Sequence, residues 1–121
     1  MFQQNVKNVS YMAKAVLKFD ELEQEYKAIV LPRGAEISQV SLEVTSANND
    51  GATLNVGLND EKDFFMQNLD LSKVDNFASS KITATKEASF VSVNFSVADL
   101  KDGEAVLRVV YFLPSEIMTE F

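Results

Sequence analysis

The stretch ISQVSLEVTSANNDGATLNVGL, residues 37–58, decides the fold class. Val40, Leu42 and Val44 alternate with Gln39, Ser41, Glu43 and Thr45, and after a break Leu54, Val56 and Leu58 alternate again. Successive side chains of an extended chain point to opposite faces, so period two with one dry and one wet face is the mark of a half-buried strand. Between the two runs stands Asn48-Asn49-Asp50-Gly51, a turn cluster in which the glycine supplies the positive φ that tight turns demand. The spacing predicts two strands joined as a hairpin.

The same period extends in both directions. Val9, Tyr11, Ala13, Ala15, Leu17 and Phe19 share one face of a long N-terminal strand, with Ser10, Lys14, Lys18 and Asp20 between them. The acidic connection ELEQEY (21–26) interrupts the pattern, and a β-rich run from Tyr26 to Leu31 ends at Pro32, which predicts a second hairpin with the first strand. Residues 59–76 are irregular and read as loop with a brief strand. Alternation returns at Ile82 and Ala84 and at Val91, Val93 and Phe95, and the run from Ala105 to Leu113 is apolar on both faces apart from Arg108. Such a strand is central or covered on both sides.

About eight short strands with no helical period predict an all-β fold, an antiparallel β-sandwich of jelly-roll-like form. The 121 residues are enough for one core, so residues 1–121 read as a single domain with a short C-terminal tail, 115–121. Apolar residues make up 46% and charged residues 24% of the chain, well away from the composition of disorder.

Charge and residue usage narrow the function. Eleven Lys and Arg against 18 Asp and Glu give a net charge of −7, which opposes binding to nucleic acid through phosphates or to an anionic membrane. No apolar run approaches the ~18 residues of a membrane span. The chain contains neither Cys nor His, which removes disulfides, thiolate nucleophiles, imidazole or thiolate zinc sites and the Ser-His-Asp arrangement. No cofactor is expected, and the chain reads as a non-enzyme.

Two acidic loops are the candidates for a metal. Asp60, Glu61 and Asp63, with Asn48, Asn49 and Asp50 in the other loop, offer oxygen ligands of the kind Ca²⁺ takes. Their spacing does not match an EF-hand, since Ser46 and Gly57 occupy positions where acids are required, and a solvated charged loop is the simpler reading. Paired carboxylates of glycoside hydrolysis are not singled out by any pattern, and Tyr11, Tyr26 and Tyr111, the candidates for sugar stacking, all sit in strand patterns where cross-strand packing explains them.

Phe64-Phe65-Met66 breaks the alternation, because three consecutive apolar side chains of an extended chain cannot share one face. Either a bulge buries them or at least one meets a partner. Val110 and Phe112, on the second face of the last strand, pose the same question. The tail SEIMTEF carries Ile117, Met118 and Phe121, and with Phe64, Phe65 and Met66 these are the candidate contact residues.

The order IVLPRGAEISQVSLEVTSA (29–47), ATLNVGL (52–58), NLDLS (68–72) and DLKDGEAVLRVVYFLP (99–114) resembles small structural proteins of tailed-phage and prophage virions. The resemblance implies a jelly-roll-like sandwich acting in a particle as a capsid decoration protein, head fibre base or tail component. It implies contact with other copies of itself, as a homo-oligomer with a trimer among the options, and with phage capsid or tail proteins. It places the chain in the virion after synthesis in the host bacterial cytoplasm, and carries no catalytic residues. The alternative is a carbohydrate- or host-surface-binding module that uses its loops, Asp60 and Asp63 among them.

Overall fold

A computed structural model describes the backbone of residues 7–115 and the side chains of residues 9–114. Nine strands follow in order: β1 (Lys7–Lys18), β2 (Glu25–Leu31), β3 (Glu36–Ser46), β4 (Thr53–Leu58), β5 (Glu61–Asp70), β6 (Asp75–Ser79), β7 (Thr83–Ala84), β8 (Ser89–Phe95) and β9 (Glu104–Ser115). One 3-10 turn, Phe19–Glu21, separates β1 from β2. The strands form two antiparallel sheets, β1-β9-β3-β6 with the short β7 added to the start of β3, and β2-β8-β4-β5. The fold is an antiparallel β-sandwich, as the period-two pattern predicts.

Both hairpin expectations are corrected. β1 and β2 lie in different sheets, and so do β3 and β4. Each adjacent pair makes a crossing from one layer to the other, where a hairpin would have kept the chain in one. Burial of the alternating face explains why: stacked sheets sit about 10 Å apart and bury only the faces turned towards each other. Placing neighbouring strands in opposite layers lets each apolar face close on the other.

In the first sheet the inward rows run Ala15–Leu107–Leu42–Phe77 and Leu17–Ala105–Val44 across the strands. Leu17, Leu42, Val44, Ala105 and Leu107 have no exposed surface. From the second sheet Ile29, Leu54, Val56, Val91, Val93 and Phe95 face them. Phe19 and Phe95 meet edge to face with ring centroids 5.2 Å apart, joining the end of β1 to β8 across the layers.

The crossings need buried polar groups to be satisfied, because a chain leaving a sheet gives up its ladder partners. Two side chains do this. Thr85 sits under the β2–β3 crossing, where its Oγ1 donates to the Pro32 carbonyl at 2.8 Å and accepts from the Ala35 N–H at 2.9 Å. Asn48, fully buried, does the same under the β3–β4 crossing. Among the described side chains no buried nitrogen or oxygen lacks a partner.

The segment 59–76, expected to be mostly loop, contains all of β5 and the start of β6. Its alternation is hidden by two register shifts against β4, between Leu54 and Val56 and between Val56 and Leu58. Asn59, in the turn between β4 and β5, and Asn68, at the first of these shifts, hold positive φ of 53° and 55°, a conformation asparagine adopts more readily than most residues.

Candidate functional site

Those shifts settle where Phe64, Phe65 and Met66 go. Phe65 and Met66 are 7% and 8% exposed and belong to the core, while Phe64 is half-buried and stacks edge to face on Phe65 at 4.9 Å. A bulge therefore buries two of the three candidate contact residues in the chain's own interior, and they have no surface to offer a partner in this conformation. Phe64 keeps an outward ring face, over which the Lys81 ammonium stands 4.0 Å from the centroid. Ile117, Met118 and Phe121 lie outside the described residues.

The acidic loops are structural where they are best defined. Asn48 Oδ1 accepts from the Asp50 N–H at 3.0 Å, and Asn48 Nδ2 donates to the Asp102 carbonyl at 2.8 Å. Asp102 in turn accepts from the Asn49 backbone N–H at 2.9 Å and the Asn49 side-chain amide at 2.6 Å. These oxygens lock the β3–β4 crossing to the β8–β9 loop. Asp60 and Glu61 lie at the opposite end of β4, so the two loops do not converge on one ion. Among the described residues no group of three or more His, Cys, Asp or Glu side chains is placed to hold a metal.

The lock makes a pH prediction. The two Asn49 donors hold the Asp102 carboxyl below its ordinary value of 3.8, and the Ser72 hydroxyl and N–H, with Lys73, do the same for Asp70. A depressed folded pKa stabilises the fold fully above 3.8, and that contribution fades as pH falls through the lower folded value. The urea midpoint of the wild type is expected to drop below pH 3.8, and Asp102→Asn should show a smaller acid-induced drop across the same range.

A cluster of exposed apolar side chains lies on β1 and β9. β9 is central, between β1 and β3, which explains its second apolar face in part. On that outer face Met12 pairs with Val110 and Val16 with Val106, with Phe112 next along β9. Met12 and Val16 are 58% and 55% exposed, so none of the described residues covers the β1 half of this stripe. Lys14 and the Arg108–Glu43 ion pair, at 3.0 Å, cross the same face between the apolar rows. On the inner face near the same end, Tyr11 stacks on Tyr111 at 5.5 Å with an interplanar angle of 20°, yet Tyr11 is 45% exposed and Val9 43%. One end of the β1–β9 pair is thus apolar on both faces and open to solvent.

The β1 edge adds a third element. β1 pairs with β9 over its whole length without a bulge, and its other edge has no strand beside it among the described residues. A long flat edge with no proline or bulge is a site where another chain can add. The sequence pointed to Val110 and Phe112 but not to Met12, Val16 or the edge, because these depend on which strand lies beside β9.

A second, polar depression lies on the outer face of the β2-β8-β4-β5 sheet. Its walls include Tyr26, Lys27, Asp60 and Phe90, with the Glu25–Lys62 ion pair across it. The Lys27 ammonium sits 4.5 Å over the Phe90 ring. Its cations are engaged within the chain. It has the weaker claim to a partner.

No protein-family profile and no curated protein sequence matches the chain. Solved structures do. A chain of the acid-stable capsid of Helicobacter pylori bacteriophage KHP30 is 34% identical, covers 97% of this chain and 100% of its own length, and superposes with a TM-score of 0.75. The chain belongs to the family of that phage capsid protein. A chain of the cyanophage Pam1 capsid asymmetric unit shares the fold at 16% identity and a TM-score of 0.72, over 94% of this chain and 91% of its own. The capsid family is structural and not enzymatic, in agreement with the residue usage read from the sequence. For a phage capsid protein the relevant chemistry is contact, which puts the apolar β1–β9 end, and not the acidic loops, at the centre of the functional question.

Proposed function

We propose that this capsid-family protein is a decoration or accessory subunit of the particle, which associates with copies of itself and seats on the capsid shell through the β1–β9 surface. The observation that carries the reading is the stripe of Met12, Val16, Val110 and Phe112, apolar and partly or largely open on a sheet that is otherwise polar outside. Large apolar side chains left open on one face of a small domain, with charged residues between and around them, mark an interface. The strand order, β1-β9-β3-β6 against β2-β8-β4-β5, supports the jelly-roll form once β7 is counted as an addition to β3. Membership of a capsid family supports the virion as its place, and the single sandwich over residues 7–115 supports one domain. Phe64 stands as a further contact residue. The carbohydrate-binding alternative has less behind it: Tyr11 and Tyr111 stack on each other, which leaves Tyr26, beside Asp60 in the polar depression, as its candidate platform.

The test uses particles lacking this protein, to which the purified chain is added back and sedimented with the shell. The wild type is expected to co-sediment and to associate with itself in solution. Met12→Asp with Val16→Asp places two carboxylates on exposed positions that the fold does not need, and should weaken both interactions at least tenfold, since each buried methionine or valine is worth about 1.5–3 kcal/mol. Undiminished binding of the double variant would remove this surface from the proposal.

A further inference from the structure

We propose that the free edge of β1 receives the C-terminal segment 116–121 of a second copy as an added strand, deepening the self-association proposed above and resting on it. Three observations converge on this pairing. The first is charge. In a chain of net charge −7, β1 is the one described strand whose charged residues are all basic, with Lys14 and Lys18 flanking Val16 on its outer face. The segment 116–121 reads Glu-Ile-Met-Thr-Glu-Phe, so an extended chain puts Glu116, Met118 and Glu120 on one face. Lys-Val-Lys meets Glu-Met-Glu, two opposite charges around an apolar pair, and such cross-strand pairs are the unit of sheet stabilisation.

The second is the other face. Ile117, Thr119 and Phe121 alternate with those three, and beside Lys14, Val16 and Lys18 the inner face of β1 offers Ala13 and Ala15, apolar and only half-buried. An added strand would bring apolar groups to both faces of β1 over residues 13–18 and pair a row of backbone N–H and C=O groups, the usual economy of strand addition.

The third is reach, and it decides whose tail is bound. Ser115 pairs with Lys7, and Lys14 lies seven residues further along β1, about 23 Å at the rise of a strand. Six residues span at most about 20 Å fully extended, before any is spent in passing round the start of β1. A chain's own residues 116–121 therefore cannot lie beside its own Lys14, Val16 and Lys18. A second copy's can.

The experiment compares the intact chain with one ending at Ser115, by sedimentation velocity over a range of concentrations, with circular dichroism as the check on folding. The intact chain is expected to associate and the shortened one to dissociate at least tenfold more readily. Lys14→Glu with Lys18→Glu should have the effect of the truncation, and adding Glu116→Lys with Glu120→Lys to that variant should restore association. An association unaffected by the truncation, or a charge swap that fails to restore it, overturns the tail docking while leaving self-association through the apolar stripe standing. An intact chain that stays monomeric overturns both.

Discussion

Replacing Gly57 by alanine is expected to destabilise the sandwich by about 3 kcal/mol and lower its melting temperature by roughly 10 °C, at the upper end of what one added methyl costs in a packed protein. Gly57 lies inside β4, and a Cβ there would stand 2.3 Å from the Glu61 carbonyl oxygen and 2.6 Å from the Lys62 carbonyl carbon. Both are backbone atoms, so no side chain can swing aside. The start of β5 would have to lift off the outer face of its own sheet. That movement would also break the hydrogen bond from Asn94 Nδ2 to the Lys62 carbonyl, at 3.2 Å, and pull Lys62 from Glu25. Gly51→Ala is the informative contrast: nothing lies within 4 Å of its added Cβ, and its φ of 74° makes the cost purely conformational, about 1 kcal/mol. Thermal unfolding of the two variants separates a close approach from a backbone requirement. Equal losses would mean that the β4–β5 contact is not as tight as the geometry states.

The same contact shows what the sequence could and could not reveal. Alternation over Val40–Val44 and Leu54–Val56 identifies β3 and β4 because every second residue of those runs is fully buried, the irregular steps of β3 against β9 falling outside its run. β5 escaped because its pairing with β4 shifts register twice, which sends Phe65 and Met66 to the core from positions that an unbroken strand would place on opposite faces. Gly57 gave no local sign of its role, since the atoms it makes room for belong to a strand that the pattern did not reveal. The hairpins were misread for a different reason. A turn such as Asn48-Asn49-Asp50-Gly51 reverses the chain in either case, and only the partner of each buried face decides whether the next strand stays in the sheet or crosses to the other layer. The proposed contact surface is half legible. Val110 and Phe112 announced an apolar second face, but Met12 and Val16 join them only because the first and last strands are neighbours, with Tyr11 opposite Tyr111 across a hundred residues of sequence.

Asn48→Leu is expected to cost about 3 kcal/mol, comparable to losing a large core side chain although the volume is conserved and the replacement is apolar. The side chain is fully buried, and it satisfies both chains that meet beneath the crossing: its carbonyl oxygen takes the Asp50 N–H, and its amide reaches the Asp102 carbonyl at 2.8 Å and the Asp102 carboxylate at 3.2 Å. Leucine would leave those groups facing a hydrocarbon, and a buried polar group stripped of its partner costs more than the bond contributed. The damage should spread along a definite path. Gly103 packs against both Phe19 and Asn48, and the Phe19 N–H donates to the Gly103 carbonyl at 3.1 Å, so loosening the β8–β9 loop loosens the end of β1. Amide exchange should therefore accelerate at Phe19 as well as around Asp102. Asn49→Ala, on the exposed side of the same loop, removes only the surface bond from its side-chain amide to Asp102, keeps the one from its backbone N–H, and should cost well under half as much. If Asn48→Leu proves no worse than Asn49→Ala, the crossing is held by its packing and not by this amide. On the proposed reading of β1 as a partner surface, the lock matters beyond stability, because it fixes the end of the strand that carries Val16 and Lys18.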